Sequence, residues 1–135
     1  MKFKIWILLV ISMLSGCGGD QQDDSGFFSD YIIENASNYR LEVEYSFSHE
    51  ENPSVERFEI EAGSSNLFYS DFELAHDIAN APSPATTFSV VRVYLLNNDE
   101  RISSSEIIDE SKWVLDRQGE LSVYTLTLVD NDFTF

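Results

Sequence analysis

Between residues 31 and 129 apolar and polar side chains alternate with a period of two, the signature of strands with one buried and one wet face. The clearest run is Tyr39 to Ser48, where Leu41, Val43, Tyr45 and Phe47 interleave with Arg40, Glu42, Glu44 and Ser46. Before it, Tyr31-Ile32-Ile33-Glu34 predicts a short strand closed by the turn formers Asn35-Ala36-Ser37-Asn38. His49 to Ser54 breaks the pattern. Phe58 and Ile60 then alternate with Arg57, Glu59 and Glu61, the chain turns at Ala62-Gly63-Ser64-Ser65, and Leu67-Phe68-Tyr69 predicts another short strand. Thr87 to Leu96 is apolar enough to be a central strand, and Asn97-Asn98-Asp99-Glu100 turns it. A ragged strand over Arg101 to Ile108 follows, then a short one at Trp113 to Leu115. The last, Leu121 to Val129, points Tyr124, Leu126 and Leu128 one way.

One stretch departs from this period. Asp71 could cap a helical turn or two in which Phe72, Ala75 and Ala79 lie near one face, before Asn80-Ala81-Pro82-Ser83-Pro84 stops anything regular. The sum is about seven strands with turn signals roughly every ten residues, no βαβ alternation and no internal repeat. That pattern predicts an all-β fold, an antiparallel sandwich with one irregular or short helical loop.

The N-terminus carries a different pattern. Lys2 and Lys4 precede an apolar run from Ile5 to Leu14, interrupted only by Ser12, which closes on small residues before the single cysteine. This is the layout of a secretory signal. It is about half the roughly 20 apolar residues that a membrane span needs. Leu14-Ser15-Gly16-Cys17 resembles the lipobox of bacterial lipoproteins. The resemblance implies cleavage between Gly16 and Cys17, diacylglycerol on the Cys17 thiol and acylation of the new amino terminus. The expected division is a signal peptide over 1–16, a lipidated cysteine with a flexible acidic tether over 17–29, and a sandwich over 30–135. With its thiol in the lipid linkage, Cys17 leaves the mature chain without a disulfide, a cysteine metal site or a thiol nucleophile.

Gly18 follows the cysteine where an aspartate would mark inner-membrane retention, so the outer membrane is the expected address. Gln22-Asp23-Asp24 resembles the acid-rich export tether of Bacteroidota-type lipoproteins, and both the periplasmic and the surface face stay open. Tyr31-Ile32-Ile33-Glu34-Asn35, Val91-x-Val93 and Tyr124-x-Leu126-x-Leu128 before Asp132-Phe133 resemble small lipoproteins of that same type. That resemblance implies an immunoglobulin-like sandwich and supplies no catalytic residue.

All 24 acidic residues follow Cys17 while Lys2 and Lys4 precede it, so loss of residues 1–16 takes the formal charge from −16 to −18. Such a field repels nucleic acid and suits a solvated surface or a basic partner. The usual catalytic constellations are missing. His49 and His76 stand apart, outside any H-x-x-x-H or H-E-x-x-H spacing, and there is no G-x-S-x-G elbow or phosphate loop. The oxygen-rich turns at Asp130-Asn131-Asp132 and 97–100 invite comparison with calcium loops, but neither matches the D-x-[DN]-x-[DN]-G form. No cofactor or metal is therefore implied.

The expected function is a non-enzymatic binding or structural module, joined to the membrane by its N-terminal lipid, with a basic protein or a glycan as partner. The expected recognition site is the irregular stretch 71–86, through Phe72, Leu74, His76, Ile78, Pro82 and Pro84, since loops on a rigid sandwich commonly carry binding. A plain crossover capping the core fits that stretch equally well. An acidic inhibitor of a basic enzyme is the alternative function, and a hydrolase with an unrecognised site is the third.

Overall fold

The computed structural model describes residues 25–75, 81–107 and 109–133. Cys17, Gly16, the tether up to residue 24, His76 and Ile78 lie outside the described residues.

Eight strands form two four-stranded sheets: β1 (Ser25–Asn35), β2 (Arg40–Phe47), β3 (Glu56–Ile60), β4 (Ser65–Ala75), β5 (Phe88–Asn97), β6 (Glu100–Glu106), β7 (Val114–Gln118) and β8 (Leu121–Leu128). Sheet A has the order β4-β1-β8-β7 and sheet B the order β3-β2-β5-β6. The protein is thus an all-β sandwich, and each of the eight strands among the described residues falls on a stretch that the alternation marks. Five pairings are antiparallel, but β1 and β8 run parallel. A parallel pair needs a long crossover, and here the rest of the domain supplies it, because the first and last strands meet at the centre of sheet A.

The core is the set of inward residues that alternation picks out. Leu41, Val43, Val91, Val93 and Leu95 face Tyr31, Ile33, Leu126 and Leu128, all at 2% exposure or less. Tyr31 stands at the centre. Its ring stacks on Tyr124 in the same sheet (5.5 Å) and meets Phe88 of sheet B edge-on (4.9 Å). A bulge sharpens this packing: Tyr31 pairs with Tyr69 and Ile32 with Leu67, so Phe68 is the extra residue. The bulge lets adjacent Phe68 and Tyr69 both pack on the core, where strict alternation would expose one of them.

Local chemistry sets the turns. Asn98 and Asp99 both take left-handed backbone (φ 49° and 66°), as a tight β5–β6 hairpin requires. Asn35, 1% exposed, satisfies its own amide: Nδ2 donates to the Tyr39 and Ile60 carbonyls, and Oδ1 accepts from the Ser37 backbone and hydroxyl.

Three expectations need correction. The sheet begins at Ser25, so residues 25–29, read as tether, belong to β1, with Phe27 and Ser29 buried. β4 runs to Ala75 where a helical turn was expected after Asp71. The earlier start of β1 explains both: Phe28, Phe27 and Gly26 offer backbone partners to Phe72, Glu73 and Leu74, and that ladder overrides the helical spacing. The helical turn lies instead at Pro84–Thr87 (α1), where Pro84 takes the first helical position and Thr86 and Thr87 donate to the Ser83 carbonyl.

Candidate functional site

The inner face of sheet A changes character along its length. Near the middle the cross-strand row is Tyr69–Tyr31–Tyr124–Leu115, which is aromatic and apolar. One row further, toward the start of β1, it becomes Asp71–Ser29–Ser122–Arg117. The sandwich therefore turns polar inside at one end.

That end is closed on one side by residues 81–87. Ser29 donates to the Pro82 carbonyl at 2.6 Å, Tyr31 Oη lies 2.7 Å from Thr87 Oγ1, and Thr87 Oγ1 donates to Asp71 Oδ2 at 2.9 Å. A carboxylate only accepts, so the single Thr87 proton goes to Asp71 and Tyr31 is the donor to Thr87. Burial pushes the Tyr31 phenol well above its ordinary range, with the Asp71 charge acting in the same direction. The Ser122 hydroxyl, wholly buried in this row, has no hydrogen-bond partner among the described residues.

Beside the closure lies a cleft of about 630 Å³ lined by Glu73, Ser83, Glu110, Trp113, Arg117 and Tyr124, with Ala81, Thr86 and Leu115 completing it. Every strand or turn that contributes does so for a plain reason. Glu73, Leu115 and Arg117 are exposed inward positions of β4 and β7, and they lie beside the buried Tyr124 of β8. Trp113 is held by its indole N–H, which donates to the Ile107 carbonyl at 3.0 Å. Glu110 sits on a 3-10 turn capped by Asp109, and its carboxylate accepts from Ser83. Burial raises the Tyr124 phenol, Glu110 raises it further, and Arg117 opposes. Carboxylates, a guanidinium, hydroxyls and an aromatic wall thus converge on a volume that suits a small ligand.

The residues expected to form a recognition loop are not gathered there. Phe72 and Leu74 lie on β4 and point to the outer face of sheet A, while Pro82 and Pro84 are buried. Within the described residues the 71–86 stretch divides into an edge strand and a core-closing cap, so it is no single loop. The cleft is not legible in the sequence, where Trp113, Leu115 and Tyr124 read only as strand residues and Ser83 as part of a turn. Glu110, Arg117 and Tyr124 lie close in the chain on or beside the β7–β8 hairpin, whereas Glu73 is distant, and the β1–β4 and β1–β8 pairings bring its strand to theirs. Their one local signal is the alternation that puts Leu115 and Arg117 on one side of β7.

The other candidate chemistry is absorbed by structure. His49 is exposed, with its ring 5.5 Å from Phe47. Asp130 accepts from the Asn38 backbone and side chain, Asp132 from the Val129 backbone, and Asp99 from Arg40. Among the described residues no three His, Cys, Asp or Glu side chains are gathered as a metal site. No helix among them is long and apolar enough to cross a membrane. No protein-family model matches the chain, and no curated protein matches it.

Proposed function

We propose that this protein is a lipid-anchored, non-enzymatic binding module of the bacterial envelope whose sandwich takes a glycan in the cleft at its open end. The observation that carries the reading is the cleft itself. Its two carboxylates and Arg117 match the alternating donors and acceptors of sugar hydroxyls, and Trp113, Tyr124 and Leu115 offer the apolar wall that a sugar C–H face needs. The anchor rests on Leu14-Ser15-Gly16-Cys17.

The charge argues against the inhibitor alternative. Four of the domain's cations, Arg40, Arg57, Arg92 and Arg101, lie on sheet B and pair with Glu59, Glu44, Glu106 and Glu42. Those four glutamates are therefore neutralised in pairs rather than presented together as a bare acidic patch for a basic enzyme.

Two measurements test the proposal. Purified protein should retain envelope oligosaccharides, and Glu110→Gln or Arg117→Ala should weaken retention at least about tenfold, the loss of one buried polar contact. The unfolding transition should stay unchanged. Capture and inhibition of a basic enzyme, with no sugar retained, would overturn the glycan reading. Separately, Cys17→Ala should abolish lipid labelling and release the protein from the membrane fraction. Persistence there after salt washing would overturn the anchor.

A further inference from the structure

The two outer faces of the sandwich differ in kind. On sheet B the row Arg57–Glu44–Arg92–Glu106 alternates in sign across four strands. On sheet A, Phe28, Leu67, Phe72, Leu74 and Val114 are all exposed and all point outward. The apolar side chains are densest at one end. Phe28 faces Phe72 across the β1–β4 ladder with ring centroids 4.8 Å apart, Leu74 pairs with Gly26, and Leu121 continues the row from β8. Gly26 makes room for this cluster: a Cβ there would come within 2.5 Å of the Phe72 ring. A 50%-exposed phenylalanine laid over a glycine-cleared backbone is poorly explained by core packing.

We infer that this end of sheet A, through Phe28, Phe72 and Leu74, docks shallowly on the lipid bilayer that holds the N-terminal anchor. The inference rests on the lipidation reading above. Cys17 precedes Ser25 by eight residues, which can span at most about 29 Å. β1, with 11 residues, is itself about 36 Å long. A cysteine fixed at the bilayer therefore keeps the start of β1 near it and can leave the far end of the strand out of reach. The start of β1 is where the exposed aromatic pair lies. The next outward row contains Asp30, paired with Ser70, and Asp116 on β7. These acids stop deeper insertion, so contact is limited to the row at the tip. The paired charges of sheet B would lose hydration against lipid, which orients that sheet away.

Hydroxyl-radical footprinting of the lipidated protein in phosphatidylcholine–phosphatidylethanolamine vesicles tests this, with the Cys17→Ala protein free in solution as reference. Phe28, Phe72 and Leu74 should be modified at least about fivefold more slowly on vesicles, while Tyr94 and Ile102 of sheet B should be unchanged. Phe72→Glu, at an exposed position, should remove the protection of Leu74 while the protein still floats with the vesicles. Equal modification of both faces would overturn the inference. So would protection of the patch in the free protein that rises with protein concentration, which would assign the face to a second copy. If cells attach no lipid to Cys17, the anchor reading fails by itself. The same thiol is then coupled to a maleimide phospholipid and the footprint repeated, so the patch is still judged.

Discussion

The hydroxyl of Tyr31, at the centre of sheet A, donates at 2.7 Å to the hydroxyl of Thr87, the last residue of the short helix that leads into sheet B. Thr87 passes its own proton on to Asp71, so one threonine joins both sheets at the open end. Thr87→Val would strand a buried donor on Tyr31 and should cost about 1–3 kcal/mol. Tyr31→Phe leaves the Thr87–Asp71 bond in place and should cost less, roughly 0.5–1.5 kcal/mol. Urea unfolding of the two variants checks the order, and the reverse ranking would refute the direction of the chain.

Residues 81–85 close the core. Pro82 and Pro84 are buried, and the Pro82 carbonyl is the acceptor for buried Ser29. Deleting 81–85 should lower Tm by roughly 10 °C or more, because it strips a buried hydroxyl and apolar cover together. A deletion variant that melts with the parent protein would show the segment to be dispensable.

Val93 is wholly buried and pairs with Val43, whereas Glu42 on the opposite face of β2 accepts from Arg101 at the surface. Val93→Asp should abolish folding, since an unpaired buried charge costs several kcal/mol against a total stability of about 5–15. Glu42→Ala should change stability by less than about 1 kcal/mol. Circular dichroism of both variants separates the cases; similar losses would misplace the core face.

Glu44 is 7% exposed on the outer face of sheet B. Burial pushes its carboxyl up, but hydrogen bonds from Arg101 and from Tyr94 (2.9 Å) and the nearby Arg57 charge outweigh that, so it titrates below its ordinary range. Its stabilising contribution is therefore complete above the unfolded pKa and is lost as pH falls through the folded one. Between about pH 6 and about pH 3 the urea midpoint of the parent protein should fall more steeply than that of Glu44→Gln. Parallel curves would remove Glu44 from the account of acid stability.

The one-dimensional pattern was enough to name the fold because a strand's two faces are written at period two. Leu41, Val43, Val93, Leu126 and Leu128 are legible as core from their neighbours alone, and the Asn98-Asp99 turn from its chemistry. Lipidation of Cys17, read from four adjacent residues, is equally a matter of sequence and remains a proposal for the membrane fraction to decide. Pairing partners are not written locally. The extension of β4 past Asp71 depended on β1 starting at Ser25, and the parallel β1–β8 contact joined residues nearly a hundred positions apart. Those two contacts, with the β7–β8 hairpin, set Asp71, Ser29, Ser122 and Arg117 in one row beside the cleft at Tyr124. Glu44 makes the same point in reverse. Alternation marked it as solvent-facing, yet two arginines and a tyrosine from three other strands cover it, since long side chains bury a neighbour only once the sheet brings them alongside. Period decides which way a side chain points; what it meets there is decided by the strands that come to lie next to it.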